Sequence, residues 1–178
     1  MDIPKEFAGR FSIQEEIVRR PSAIVYLARD KKLGDREVAL KVFLDRPTGN
    51  GKWIAEFEDQ VQRLRLASHP ALVPIIQGGC ENEWFYLAME RIEGLSLRDL
   101  MKDGNAPLSL ERAFDIARDV GHALNELHSN GLVHSSFDSR AVLFKGEDAR
   151  VAGFSPPVLA VIQRSVSAER SLLSEPAY

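Results

Sequence analysis

The sequence predicts an α+β fold, and three features carry that expectation. Short runs that alternate apolar and polar residues, or are rich in β-branched and aromatic ones, recur near the amino end and read as five strands. A run with helical spacing interrupts them, and a longer one follows. Beyond it a polar loop lies between short apolar pieces, Leu132-Val133 and Val142-Leu143-Phe144, the layout of small strands presenting a loop at a surface.

The first strand signal is Phe11 to Val18, FSIQEEIV, and the second is Ala23 to Arg29, AIVYLAR. Arg19-Arg20-Pro21-Ser22 between them reads as a tight hairpin. Two arginines holding phosphate by charge is the alternative. Lys31 to Arg36 is a polar turn, and Glu37 to Leu44 is a third strand, apolar on both sides of Lys41. A turn-rich loop with Pro47, Gly49 and Gly51 leads to Trp53–Leu66, whose apolar positions 53, 54, 57, 61 and 64 follow helical spacing. Pro70 helps stop that helix, and His69 reads as structural. Ala71–Gly78 and Trp84–Glu90 are the last two strand signals, joined by a turn at Gly79-Cys80-Glu81-Asn82. Ser96-Leu97-Arg98-Asp99 is a capping box opening a short helix to Met101. Ser109 caps a longer helix to about Asn130, with Ala113, Ile116, Ala117, Val120, Leu124 and Leu127 on one stripe and Gly131 after its end. His122 and His128 read as structural or solvated. A Gly146-Glu147-Asp148 turn precedes a third apolar piece, Arg150-Val151-Ala152. From Ser155 to Tyr178 the chain carries Pro156-Pro157, scattered serines and little periodicity.

The totals bound the function. With 178 residues the chain holds one good core or two small lobes. An apolar share of 44% and a charged share of 28% are ordinary for a soluble globular protein, and a net charge of −3 argues against a nucleic-acid or anionic-membrane partner. The single cysteine, Cys80, forms no internal disulfide and fits a reducing compartment. The segment MDIPKEFAGR lacks the apolar stretch of a signal peptide, and no run is long enough to span a membrane, so the expectation is a cytoplasmic protein.

Several motifs then fall in one order and at one set of intervals: Val38-Ala39-Leu40-Lys41, the helix before His69-Pro70, Met89-Glu90, Gly131-Leu132-Val133-His134, and Gly153-Phe154-Ser155. Together they resemble the protein kinase family, of the serine/threonine, bacterial-like type. The resemblance implies a two-lobed α+β fold: a five-stranded antiparallel amino-terminal lobe with one helix and a hinge over residues 1–92, then a partial helical carboxyl-terminal lobe over 93–178 that stops at the activation segment. In the family, His-Arg-Asp is followed five residues after the Asp by Asn, and later by Asp-Phe-Gly. Here those positions read His134-Ser135-Ser136, Ala141 and Gly153-Phe154-Ser155. The spacing is kept and the charges are gone.

The resemblance places Lys41 at the phosphate-binding lysine and Val25 and Ala39 above an adenine, with Leu143 below it. Met89 would limit access behind the base, and backbone groups near Glu90 and Ile92 would meet its edge. Leu64, His134 and Phe154, with Ile75 or Ile76, would form the side-chain stack that links the lobes. The helix glutamate that pairs with the lysine is Gln60 here, with Glu56 one turn earlier as a substitute. The hairpin at residues 19–22 has no glycine, where the family has a glycine-rich loop over the phosphates. Ser136 is no base at neutral pH, and Ala141 and Gly153 offer magnesium no side-chain oxygen. Asp138 is the nearby carboxylate that would have to take over the base, although an exposed turn aspartate is the simpler reading. Glu147 and Asp148 read as solvated.

The expectation is therefore a pseudokinase, a non-catalytic binding or regulatory module that takes ATP weakly at most and without magnesium. Its expected partner is another protein, an active kinase or the remainder of the larger lobe. The alternatives are a divergent ATP-dependent serine/threonine kinase using Lys41 with Asp138 or Glu56, and a non-functional kinase fragment. Serines 165–174 read as phosphorylation targets or as a plain polar loop.

Overall fold

A computed structural model describes residues 3–45, 52–102 and 107–161. The loop glycines 49 and 51, Pro47, and everything from residue 162 onward, including the serines of 165–174, lie outside the described residues.

Six strands form one antiparallel sheet: β1 (Glu6–Phe7), β2 (Phe11–Arg19), β3 (Ala23–Asp30), β4 (Arg36–Phe43), β5 (Ile75–Glu81) and β6 (Trp84–Glu90), in the order β1-β2-β3-β4-β6-β5. The five strands expected from alternation are joined by the two-residue edge strand β1. Because side chains alternate across a strand, the sheet has two buried faces. Ile24, Tyr26, Ala28, Val38, Leu40 and Val42 point to one face, where Phe7, Phe11 and Tyr86 close over them. Phe43, Phe85, Leu87 and Met89 point to the other, against Phe57, Val61 and Leu64 of helix α1 (Lys52–Leu66). The rings of Phe57 and Phe85 stack at 4.4 Å. Burying a side chain of that size contributes about 1.5–3 kcal/mol, so this face anchors α1 to the sheet.

A polar network ties off the first face. Arg10 grips the buried Asp30 with two hydrogen bonds of 2.6 Å, and its remaining arm donates to Gln77 at 2.6 Å. Gln77 in turn donates to the Tyr86 hydroxyl at 2.8 Å. The Arg10 guanidinium holds the Asp30 carboxyl below its ordinary value. A buried charge needs such a partner to remain ionised.

Strand β5 departs from the expected Ala71–Gly78. Its ladder starts at Ile75, after Pro74, and runs on to Glu81, so the turn moves to Asn82-Glu83. Both turn residues have positive φ, 47° and 66°, the geometry of a two-residue hairpin. Gly78 belongs inside the strand because a Cβ there would meet Leu87 and the Tyr86 carbonyl.

Past the hinge, helix α2 (Leu97–Lys102) starts at the predicted capping box: the Asp99 N–H donates to Ser96 Oγ at 3.2 Å, and Ser96 Oγ donates to the Asp99 carboxylate at 2.5 Å. Helix α3 (Leu110–Ser129) is capped by Ser109, whose Oγ accepts from Arg112 N at 3.1 Å. It ends in a Schellman turn: Leu132 N–H reaches the Leu127 carbonyl and Gly131 N–H the His128 carbonyl, with Gly131 at φ 70°. The buried stripe is Ile116, Ala123 and Leu127, with Val120 and Leu124 beside it, whereas Ala113 and Ala117 are exposed. The expected stripe is thus rotated at its amino-terminal end, because β7 (Val142–Lys145) and β8 (Asp148–Val151) cover only the side carrying Ile116 and Val120.

Leu132-Val133 lies in no strand among the described residues, which corrects the expectation of three small strands; of the three apolar pieces, β7 and β8 pair with each other. Residues 71–73 connect the two parts of the molecule instead, with Val151 N–H donating to the Ala71 carbonyl at 2.6 Å and Val73 N–H to the Val151 carbonyl at 2.9 Å. At Gly94 the backbone lies so close to the Phe144 carbonyl that a Cβ would overlap it. Residues 157–161 are helical, so Pro156-Pro157 marks a helix entry where irregular chain was expected.

Candidate functional site

Strand β4 alternates so that Leu40 enters the outer core while Ala39 and Lys41 face α1 and the second part of the chain. Lys41 is 8% exposed. Its ammonium donates to the Gly153 carbonyl at 2.8 Å, the Phe154 carbonyl at 2.9 Å and Ser155 Oγ at 2.9 Å, and lies 4.9 Å from the Phe43 ring. Three acceptors match its three protons. No carboxylate among the described residues pairs with it, and burial pulls it down to about 7.

Gln60 and Glu56 both lie elsewhere. Gln60 Nε2 donates to Glu56 at 2.8 Å, and Gln60 Oε1 accepts from Val158 N–H at 3.2 Å. Glu56 is therefore no substitute partner for Lys41: on the exposed side of α1 it turns along the helix to Gln60 instead.

The loop from His134 to Ala141 is held from within. His134 Nε2 donates to the Ala152 carbonyl at 2.7 Å, which fixes the proton on that nitrogen and leaves Nδ1 buried with no hydrogen-bond partner among the described residues. Burial pulls the imidazole below its ordinary value. Its ring sits between Phe137 and Phe154 at centroid distances of 5.4 and 5.8 Å. Ser135 adopts φ 59°, and Ala152 N–H donates to the Ala141 carbonyl at 2.7 Å. The positions 136, 141 and 153 consequently converge: Ser136 Oγ lies 3.5 Å from the Gly153 carbonyl, and a Cβ on Gly153 would stand 3.8 Å from that of Ala141.

Asp138 is near this cluster but committed to another residue. Its carboxylate accepts from Arg140 N–H and Nε, each at 2.8 Å, and also from the guanidinium terminus. The Arg140 hydrogen bonds hold it down at about 2. An acid that strong is a poor proton acceptor at neutral pH. Glu147 and Asp148 are exposed at the β7–β8 turn. Among the described residues no three His, Cys, Asp or Glu side chains gather as metal ligands.

The side-chain stack is also assembled. Leu64, Ile75, Met89, His134 and Phe154 line one small cavity between α1, the sheet and the loop, with room for about one water molecule. Ile75 takes the stack position, and Ile76 packs on the opposite face of the sheet. Val25, Ala39, Ile92 and Leu143 are half-buried. Glu90 donates its backbone N–H to the Pro74 carbonyl at 3.0 Å and pairs its carboxylate with Lys145 at 2.8 Å. In the hairpin, Arg20 N–H donates to the Ala23 carbonyl at 2.8 Å, and Arg19 is paired with Glu16. Arg19 is thus spoken for within its own hairpin.

Sequence reasoning found Lys41 but missed what it binds. Two of its three partners are main-chain carbonyls, which carry no residue signature, and Ser155 is unremarkable as a letter. The Gln60–Val158 bond was equally hidden.

A curled antiparallel sheet with one helix, a hinge, and a buried lysine over a His-containing loop define a protein-kinase-like domain. Residues 13–160 match the protein tyrosine and serine/threonine kinase family, and the chain belongs to it. It is 34% identical over 143 residues to a probable serine/threonine-protein kinase PknB of Lactococcus lactis, covering 80% of this chain and 23% of that protein. It is 32% identical over 143 residues to the serine/threonine-protein kinase PrkC of Bacillus subtilis, covering 80% and 22%. The chain therefore spans less than a quarter of the length of these relatives. Among solved structures, the Mycobacterium tuberculosis PknI kinase domain superposes with a TM-score of 0.73 at 20% identity, over 86% of this chain and 63% of that one. The PpkA-294 apo form superposes at 0.72 and 20% identity, over 98% and 68%. No helix among the described residues is long and apolar enough to cross a membrane.

Proposed function

We propose that this chain is a pseudokinase domain, a kinase-shaped module that works through protein contacts and takes nucleotide weakly at most and without magnesium. The observation that carries the reading is the meeting of Ser136, Ala141 and Gly153 at one point with no carboxylate or carboxamide among them. Phosphoryl transfer depends on positioning and charge, with metal ions held by side-chain oxygens and a base for the hydroxyl proton. Loss of a general base alone costs about 10²- to 10⁴-fold. Asp138 is a poor replacement, because its ion pair with Arg140 lowers its basicity. The partner is another protein: an active kinase or the remainder of a larger lobe. Leu110 and Phe114, 74% and 66% exposed on α3, support a contact there.

Thermal-shift measurement with ATP, with and without magnesium, tests this. The expected result is a small shift that magnesium does not enlarge, together with no radiolabel transferred to a peptide. A large magnesium-dependent stabilisation that Lys41→Ala abolishes would establish the enzyme instead.

A further inference from the structure

Lys41 donates all three of its protons to one short segment, Gly153 to Ser155. An incoming phosphate would have to displace at least one of those oxygens. The segment is fixed on both sides. Just before it, Ala152 is bonded to the Ala141 carbonyl and to His134 Nε2. Beyond it, Val158 N–H is bonded to Gln60, while Val158 and Leu159 are buried in the same core as Phe154. Besides Lys41, the cations near this cluster among the described residues are Arg20, whose charge reaches Asp138, and Arg140, which is paired with that carboxylate. Ser136, Ala141 and Gly153 are uncharged, and Arg19 is paired with Glu16. A triphosphate entering here would be desolvated while competing with those three oxygens for the Lys41 charge, which is unfavourable. Val25, Ala39 and Leu143, at the positions where the resemblance sets an adenine, are half-buried and uncharged as well.

We infer that the Gly153–Ser155 segment takes the place of a ligand's phosphates at Lys41, and that the cleft selects an uncharged nucleoside-sized heterocycle over a nucleoside triphosphate. This rests on the binding-module reading above and narrows its ligand.

Calorimetric titration of the whole chain with adenosine, ATP, and ATP with magnesium tests the inference. Adenosine is expected to bind at least as tightly as ATP. Ser155→Ala frees one donor of Lys41, so the ATP-to-adenosine affinity ratio should rise by about threefold to tenfold, the equivalent of one hydrogen bond. A second readout needs no ligand: the rate at which an amine-acylating reagent modifies Lys41, followed by mass spectrometry, should rise in Ser155→Ala. ATP binding about tenfold or more tighter than adenosine to the unaltered chain would overturn the inference. So would the absence of adenosine binding, or an acylation rate indifferent to Ser155→Ala. Failure of the non-catalytic reading shows separately, as magnesium-dependent binding and transfer of phosphate.

Discussion

Gln60 Oε1 accepts a hydrogen bond from the Val158 backbone N–H at 3.2 Å, joining α1 to the helical turn at 157–161. The first N–H groups of a helix have no partner inside it, so an outside acceptor stabilises the turn. The residue that the resemblance sets at the family's lysine-pairing glutamate thus bonds a different neighbour. Replacing it with Ala should leave Val158 N–H without that acceptor and lower stability by about 0.5–1.5 kcal/mol. Amide hydrogen exchange at Val158 should accelerate in Gln60→Ala and stay near wild type in Gln60→Glu, which keeps an acceptor. Equal exchange in all three proteins would refute the role.

The Arg10–Asp30 pair gives the sheet's outer core its largest single polar liability. Arg10→Met strands a fully buried carboxylate, and breaking such a pair typically costs about 3–5 kcal/mol. Urea denaturation should show that loss. The double variant Arg10→Met with Asp30→Asn should recover part of it, because the uncompensated charge is then gone. A single-variant loss below about 1 kcal/mol would place the network on the surface in energetic terms.

Lys41 makes stability depend on pH in a defined direction. Its folded value of about 7 lies below the ordinary 10.5, so between those values the unfolded chain holds the extra proton. Stability should therefore rise with pH between about 7 and 10.5, by up to about 1.4 kcal/mol per unit, and level off at its lower value as pH falls below 7. Burial raises the Cys80 thiol above its ordinary 9.0 and the Tyr26 and Tyr86 hydroxyls above 10.0, which confines the clean window to about pH 7–8.5. Chemical denaturation across that window should give a slope for wild type and a flatter line for Lys41→Met. Parallel lines would mean that the ammonium stays charged throughout.

Side chains at 136, 141 and 153 are close enough to act together, since Cβ atoms at 153 and 141 would stand 3.8 Å apart. The triple variant Ser136→Asp, Ala141→Asn, Gly153→Asp should create a divalent-cation site that wild type lacks. Position 153 sits at φ 74°, a conformation Asp tolerates better than most residues. Magnesium or manganese alone should then raise the melting temperature of the triple variant and leave wild type unmoved. If neither protein responds, these positions do not form a cation site even when given oxygens.

Much of the architecture was legible in the letters. Period-two alternation in β3, β4 and β6, helical spacing in Trp53–Leu66, the Ser96 and Ser109 caps and Gly131 after α3 are local signals, and local physics decides them. Where the reading slipped, a distant contact had decided. Gly79-Cys80-Glu81 reads as part of a turn, yet pairing with Tyr86, Phe85 and Trp84 keeps all three in β5. Ala113 and Ala117 shared a helical face with Ile116, yet β7 and β8 cover only part of that face.

The motif intervals, and with them the kinase frame and the absence of charge at Ser136, Ala141 and Gly153, were determined by the sequence alone, because residue identity and spacing are what a sequence holds. The partners of Lys41, the turning of Gln60 toward Val158 and the pairing of Asp138 with Arg140 were decided only by tertiary structure. Those contacts depend on where main-chain carbonyls and N–H groups point once the chain has packed, and every residue carries the same main chain.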